Sequence, residues 1–197
     1  MKTWVTLLLI GVFSFGSLAT EQDTVQRNYR FWMTAQLGFA KMFNQDQGPN
    51  EFFPVMVGAY FSKKYQAVAL HINRFEELTE GFCFSCNPPD KINAINLLYG
   101  FNYNQKWFGL NAMAGVGVAF GERTQYLGME IDYGYLPPTA FPVYEYKSFV
   151  TYNIPFSLSS SFIFHKTSAF TVTGFYAYNN QLQNYGVMFG YSFGYMR

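Results

Sequence analysis

The last stretch of the chain, residues 185–196, alternates strictly between two kinds of side chain. Its odd positions carry Tyr, Val, Phe, Tyr, Phe and Tyr, whereas four of its six even positions carry Gly or Ser. Because side chains point alternately to the two faces of a strand, this segment predicts a strand with one bulky face and one small face. The bulky face must therefore meet either a protein core or lipid.

Seven earlier stretches show a similar alternation, which predicts eight strands in all. The connections between them alternate between long and short, as in an up-and-down barrel with short turns at one end and longer loops at the other. Most of the strands exceed the about 9–11 residues that a tilted strand needs to cross a bilayer. The predicted strands are residues 29–41, 52–61, 65–75, 91–103, 107–121, 145–164, 169–178 and 185–196.

The composition favours lipid outside this barrel. The chain is 21% aromatic and only 13% charged, whereas about 25–35% of a soluble surface is charged. After the N-terminal region, no window approaches the roughly 20 apolar residues of a membrane-spanning helix. The 13 basic and 12 acidic residues nearly balance, so the sequence indicates no nucleic-acid partner. These features predict an all-β fold, an eight-stranded antiparallel transmembrane β-barrel, preceded by a signal peptide.

A soluble eight-stranded barrel of the lipocalin type is the competing fold, with the bulky face inward. Its outer surface would then be formed largely by glycines such as Gly115, Gly117 and Gly190. With lipid outside, the same small residues would line a narrow, crowded lumen. Aromatic residues also concentrate near the predicted strand ends, as in the two girdles of membrane barrels. Both features favour the membrane.

The N-terminus has the form of an export signal. A short positive start, Met1-Lys2-Thr3, precedes an apolar run, and Ser17-Leu18-Ala19 places small residues before a cleavage site. The predicted organisation is a signal peptide over 1–19, a periplasmic lead-in over 20–28 and a barrel domain over 29–197. The expected location is the cell outer membrane, with both termini periplasmic.

Two cysteines, Cys83 and Cys86, form the only Cys-x-x-Cys spacing. Such spacing is typical of a redox site or of half a zinc site, but a zinc site needs further ligands. In an exported chain a loop disulfide is the favoured interpretation. We expect no cofactor and no metal.

The segment Tyr152-Asn153-Ile154-Pro155-Phe156-Ser157-Leu158 resembles a motif of outer-membrane β-barrel domains common in Bacteroidota. Those domains carry an aromatic- or Leu-x-Ile-Pro-Leu-x-Leu segment on a late strand, and Phe156 stands where Leu is usual. The resemblance covers about residues 29–197. It implies a small barrel inserted by the barrel-assembly machinery, with no catalytic motif. Such proteins often end on an aromatic residue, whereas Met196-Arg197 follows Tyr195 here.

Polar residues in the inward register predict what fills the lumen. One interpretation is a polar path for small solutes; the other is a plugged lumen whose polar groups satisfy one another, because an unpaired buried charge is costly. Eight-stranded barrels are only wide enough inside for side chains, which favours the plug. The predicted polar cluster of the lumen comprises Arg30, Gln36, His71, Glu145 and Lys147.

A lipid-modifying enzyme is a further alternative, since small outer-membrane hydrolases and acyltransferases need a Ser and a His close together. His71 is predicted inside the barrel, and His165 is predicted in a periplasmic turn near Ser168. Neither histidine has an acidic neighbour in the sequence. We therefore expect no catalytic residue in this chain.

The longer loops remain as a functional surface, because loops on a rigid scaffold often carry function. They are rich in Tyr and Pro and can bind an extracellular ligand, or they can form no more than a solvated rim. The sequence thus predicts a non-enzymatic outer-membrane protein with a structural or loop-binding role, a narrow channel being the alternative. Its expected partners are outer-membrane lipid, the assembly machinery and a ligand at the loops. The acidic residues assigned to these loops are Glu76, Glu77, Glu80, Asp90, Glu122, Glu130 and Asp132.

Overall fold

A computed structural model describes residues 29–44, 50–78, 90–132, 139–180 and 182–196. The predicted signal peptide, the lead-in over 20–28 and the Cys83–Cys86 pair lie outside these ranges. Within them, no helix is long and apolar enough to span a membrane. The strands are β1 Tyr29–Asn44, β2 Asn50–Lys63, β3 Gln66–Glu77, β4 Lys91–Asn104, β5 Phe108–Asp132, β6 Thr139–His165, β7 Ser168–Tyr178 and β8 Leu182–Tyr195.

The eight strands form a closed antiparallel barrel in which each strand pairs with its neighbours in sequence. Closure comes from β1 and β8, which pair from Phe31 with Tyr195 to Asn44 with Leu182. Closure removes every open sheet edge from the barrel wall, as lipid requires. The predicted up-and-down barrel is confirmed.

The row of residues that the alternation predicts for the bulky face of the strands points outward, which confirms the membrane barrel over the soluble one. On β8, Val187, Phe189 and Tyr191 are exposed, whereas Met188 and Ser192 are buried. An exposed apolar surface of this extent marks contact with lipid rather than water. Ring pairs stand near both ends of the wall: Tyr29–Phe61, Tyr65–Phe101 and Trp107–Phe162 at one end, Phe39–Phe53 and Phe43–Tyr185 at the other.

The two ends of the barrel differ in their connections. One end carries the short connections at 64–65, 105–107 and 166–167, and we refer to it as the turn end. The opposite end, which carries the remaining connections, is the loop end. The first turn comprises Lys64 and Tyr65, whereas the sequence predicts residues 62–64, and Lys64 has a left-handed φ of 56°.

The predicted long connection from Glu122 to Tyr144 is wrong. Most of it is strand, because β5 and β6 continue to pair with each other from Glu122 with Ser148 to Asp132 with Thr139. A β-bulge at Tyr126–Gly128, with Gly128 at a φ of 140°, accommodates the glycine. The Gly and Pro residues of this stretch are typical of a loop, but Gly fits a bulge and Pro is tolerated on an edge strand.

Strand β2 begins at Asn50, two residues before the predicted start at 52, and Pro54 lies inside it. Pairing of β1 with β2 is interrupted beside it, between the pairs Leu37–Val55 and Ala40–Phe52. Proline has no N–H to donate, so the ladder is weakened locally while the strand continues.

Candidate functional site: a sealed lumen and a projecting hairpin

An apolar layer fills the lumen at the turn end. The rings of Trp32 and Tyr60 stack with their centroids 5.0 Å apart, and both side chains are buried. Leu98, Met113 and Ile163 pack in the same cluster. Side chains from several strands thus meet across the lumen and close it.

A second apolar layer fills the lumen near the loop end. Met42, Phe52 and Ile92 are almost fully buried there. Phe75 lies beside Phe175, with ring centroids 5.9 Å apart. The lumen is therefore blocked by hydrophobic side chains at two levels.

Polar side chains line the wall between and beside these layers. A chain of hydrogen bonds crosses four strands: Ser192 donates to Thr34 at 3.1 Å, Ser192 shares a hydrogen bond with Thr171 at 2.7 Å, and Thr171 shares one with Ser161 at 2.9 Å. Gln36 also donates to Thr34, at 3.1 Å. These neutral groups hydrogen bond to one another without burying a charge, and only the Gln36 side-chain oxygen of this group lacks a partner among the described residues.

Asparagines line a small cavity in this polar region. Its volume is about 20 Å³, which is enough for a water molecule. The Asn153 side-chain amide donates to Asn96 Oδ1 at 2.8 Å. The side-chain Oδ1 atoms of Asn73, Asn153 and Asn184 have no hydrogen-bond partner among the described residues. Such oxygens suit bound water, so the cavity fits a hydration site better than a path for solutes.

The structure does not bring the five predicted lumen residues together. Gln36 and His71 are buried inside, and Arg30 is half-buried on the inward face of β1. Glu145 and Lys147 are exposed, because β6 continues past the end of the barrel. Their inward register persists, but no opposite wall encloses them there, so their placement in a lumen cluster is wrong.

The two histidines do not form a catalytic arrangement. His71 Nε2 lies 2.7 Å from the Tyr60 hydroxyl inside the lumen, and His165 Nδ1 lies 3.0 Å from the Thr167 hydroxyl in an exposed turn. In the described parts of the chain, neither imidazole hydrogen bonds to a carboxylate. Ser168 pairs with His165 only through the strand register. The geometry offers no Ser-His-acid relay at either histidine.

The largest feature beyond the wall is the hairpin formed by the ends of β5 and β6. The pairing of β4 with β5 ends at Lys91 and Glu122, whereas β5 continues to Asp132. At about 3.3 Å per residue, these ten further residues project roughly 30 Å. The hairpin exposes apolar side chains, with Leu127, Met129 and Tyr146 exposed by 57%, 69% and 58%.

A clasp of polar groups holds the base of this hairpin, and we refer to it as the rim clasp. Asp90 accepts a hydrogen bond from the Thr124 N–H at 2.7 Å and lies 3.8 Å from Arg123. Glu77 accepts hydrogen bonds from the Asp90 N–H at 3.0 Å and from the Asn50 side chain at 2.9 Å. The strands β2, β3 and β5 and the residue that precedes β4 are thereby connected at the loop end.

The rim clasp shows that some of the acidic residues assigned to the loops are bonded within the barrel and are not available to a ligand. Glu77 and Asp90 accept hydrogen bonds from other residues of the barrel. The Glu76 carboxylate lies 3.8 Å from the Arg74 guanidinium. Glu122 and Glu130 remain exposed, while Glu80 lies outside the described residues. Sequence reasoning missed Arg123 and Asn50, because charge alone does not reveal partners across a sheet.

The carboxyl groups of the rim clasp predict a dependence of stability on pH. Burial raises the pKa of Glu77, and burial also raises the pKa of Asp90 against the opposing effects of the Thr124 N–H and Arg123. Because the pKa of each carboxyl group is higher in the folded state than in the unfolded state, the folded state retains protons that the unfolded state has already released. The contribution of each group to the free energy of unfolding therefore falls as the pH rises from its ordinary pKa, near 4.5 or 3.8, toward the raised value.

The check is to compare urea unfolding of the wild type with Glu77→Gln between about pH 4 and pH 7. We expect the stability of the wild type relative to Glu77→Gln to decrease as the pH rises. A relative stability that increases with pH would contradict the raised pKa.

Solved structures that resemble this chain in fold include Neisserial surface protein A and Ail. Neisserial surface protein A is 12% identical with a TM-score of 0.62, and the match covers 84% of this chain and 97% of that protein. Ail, the attachment invasion locus protein of Yersinia pestis, is 8% identical with a TM-score of 0.55, covering 85% of this chain and 97% of Ail. No family model and no curated protein matches the chain. The Bacteroidota resemblance therefore stays a prediction.

Proposed function

We propose that this chain is a non-enzymatic outer-membrane protein of a Gram-negative cell that binds an extracellular partner through the β5–β6 hairpin. In this arrangement the turn end and both termini face the periplasm, and the loop end faces the outside. Short periplasmic turns with longer outer loops are the usual polarity of such barrels. Outer-membrane lipid surrounds the apolar wall, and the barrel-assembly machinery inserts it.

The observation that carries the proposal is the length of the hairpin beyond the wall. Past Glu122, β5 has no pairing with β4, and before Ile154, β6 has none with β7. Among the described residues, and beyond the rim clasp, both outer edges thus lack a partner strand, so a strand of an extracellular partner can add there. Leu127, Met129 and Tyr146 supply exposed apolar contacts on the same hairpin. Ail, which resembles this chain in fold, is named an attachment invasion locus protein, and this name is in keeping with the proposal.

The channel is the weaker alternative, because two apolar layers block the lumen. Trp32 and Tyr60 close the turn end, while Phe52, Phe75 and Phe175 fill the region near the loop end. We expect no single-channel steps when the purified protein is reconstituted in a planar bilayer. Reproducible single-channel steps would support conduction in place of the proposed binding function.

A variant without the hairpin tests the binding function. Residues 126–144 are replaced by Asn-Gly, which joins the cross-strand pair Gln125 and Glu145 through a two-residue turn. The barrel wall and the rim clasp are retained, so we expect normal heat-modifiable gel mobility. Attachment of cells to a panel of immobilised extracellular proteins and glycans should fall about tenfold or more if the hairpin carries the contact residues.

A matched variant separates side-chain contacts from the loss of the whole hairpin. Leu127→Ser, Met129→Ser and Tyr146→Ser together keep its length but remove its apolar contacts, and we expect most of the attachment to be lost. Attachment that is unchanged in the hairpin deletion, or absent in the wild type on every surface of the panel, would contradict the proposed function.

A further inference from the structure

The charged residues of the barrel are divided unequally between its two ends. Lysines lie at both ends, but every Asp and Glu in the described ranges lies at the loop end or on the hairpin beyond it. The turn end therefore carries, in the part of the chain that the structure describes, cations without carboxylates. The described carboxylates are those of Glu51, Glu76, Glu77, Asp90, Glu122, Glu130, Asp132 and Glu145.

The cations of the turn end lie at its three short connections. Lys63 and Lys64 lie at the first connection, Lys106 at the second and Lys166 at the third, and all four residues are exposed. None of the four forms an ion pair with a described carboxylate. We refer to these four residues as the turn lysines.

The carboxylates of the loop end are too distant to neutralise the turn lysines. On β2, Glu51 is twelve residues from Lys63, which at about 3.3 Å per residue is roughly 40 Å along the strand. Interactions between exposed charges are screened beyond about 10 Å at 0.1 M salt. The positive potential of the turn end is therefore available to anionic groups outside the described chain.

Each connection that carries a turn lysine also carries or borders an exposed aromatic ring of the lipid-facing wall. Tyr65 directly follows Lys64, and Trp107 directly follows Lys106. Such rings mark the level of the lipid headgroups in membrane barrels, so the turn lysines lie at that level. The exposed aromatic residues beside the three connections are Phe61, Tyr65, Trp107 and Phe164.

Lys63 provides a direct contact between a turn lysine and this aromatic level. Its ammonium lies over the Tyr29 ring, 5.0 Å from the ring centroid, in a cation–π contact. Tyr29 is exposed and stacks on Phe61, with ring centroids 5.6 Å apart. The Lys63 ammonium therefore lies on the outside of the wall, at the edge of the surrounding lipid.

The groups that surround the wall at this level are lipid headgroups. A zwitterionic headgroup brings its own ammonium beside its phosphate, whereas an anionic headgroup such as phosphatidylglycerol brings a phosphate without a compensating cation. Each basic residue close to an anionic bilayer surface strengthens the attraction by about fivefold. The unpaired charge of the turn lysines therefore favours anionic headgroups over zwitterionic ones.

We propose that the turn lysines bind the headgroups of anionic phospholipids in the leaflet that borders the turn end. The site requires the transmembrane wall, but it holds for either orientation of the barrel and uses no residue of the β5–β6 hairpin. Failure of the proposed attachment function would leave it untouched. The hairpin deletion should keep the same preference for anionic lipid.

Quenching of Trp107 by brominated lipids tests this preference, because its ring is exposed next to Lys106. The barrel, in a Trp4→Phe background, is reconstituted in mixed vesicles of phosphatidylglycerol and phosphatidylcholine, one of which is brominated. Trp32, the other remaining tryptophan, is buried in the lumen. We expect phosphatidylglycerol to bind beside Trp107 about fivefold more tightly than phosphatidylcholine. Raised salt should reduce this preference.

Two matched variants locate the source of the preference. Replacement of all four turn lysines by Gln should abolish it, and Lys106→Gln alone should reduce it. The control replaces the same number of exposed cations by Gln at the loop end, and it should keep the preference. Heat-modifiable gel mobility confirms that each variant is folded. The control positions are Lys41, Arg74, Lys91 and Lys147.

Equal binding of the two lipids beside Trp107 in the wild type would overturn the proposal. A preference that the variant without turn lysines retains, or that the loop-end control loses to the same extent, would also overturn it. If the wild type showed no lipid preference but bound isolated peptidoglycan through the turn lysines, the turn end would be assigned to an anionic polymer and the lipid would be overturned.

Discussion

Gly190→Ala is expected to destabilise the barrel by about 3 kcal/mol, the upper part of the range for overpacked sites. Gly190 pairs with Gln36 where β8 closes against β1. A Cβ atom at this position would overlap the Ala35 carbonyl oxygen and lie 2.6 Å from the Gln36 Cα atom. Backbone atoms cannot rotate away as a side chain can, so the two strands must separate.

Gly174→Ala is the matched control for this substitution. Gly174 faces outward, and an added Cβ atom there meets nothing closer than 4.0 Å. We expect its free energy of unfolding to stay within about 0.5 kcal/mol of the wild type. Urea unfolding in lipid vesicles, followed by heat-modifiable gel mobility, measures both variants. Equal stability of the two would show that β1 and β8 are not in close contact at Gly190.

Trp32→Ala is expected to cost about 3–5 kcal/mol, as is usual when a buried tryptophan is removed. Its ring is 4% exposed and stacks on Tyr60 in the lumen at the turn end. Truncation leaves a void that the rigid wall cannot fill by collapsing. Trp107→Ala removes the same side chain at the same end of the barrel, but from the outer surface, where the ring is 59% exposed.

The comparison between the two tryptophan variants tests which face of the wall is the protein core. We expect Trp107→Ala to cost about 1 kcal/mol, because lipid replaces most of its contacts. Unfolding midpoints in urea measure the difference. A larger loss for Trp107→Ala than for Trp32→Ala would place the core on the opposite face.

Alternation of side chains was enough to predict the wall of the barrel. In β8, Val187, Phe189 and Tyr191 face lipid as predicted, because a two-residue period assigns every side chain of a strand once one is placed. The same alternation continues beyond the end of the barrel wall, and nothing in the sequence pattern indicates where the wall ends. Glu145 and Lys147 therefore keep the inward register while lying outside the lumen.

The alternation of side chains could not predict the hairpin or the rim clasp. Gly128 and Pro142 are typical of loops, yet both lie in strands, because β5 and β6 pair with each other beyond their other neighbours. Asp90 is buried, although its sequence context indicates a solvated loop, because Thr124 and Arg123 reach it from the base of the hairpin. These contacts join residues distant in sequence, which a local pattern does not record.

The hydrogen bond between Ser192 and Thr34 has a consequence for the order of assembly. These residues are 158 positions apart in the sequence, and they meet where the first and last strands pair. The contact carries the loop-closure entropy of a long chain segment, so the seam forms only when the first and last of the eight strands meet. Without β8, the edges of both β1 and β7 are open to pairing with another chain, so the last strand also protects the barrel from edge-to-edge association.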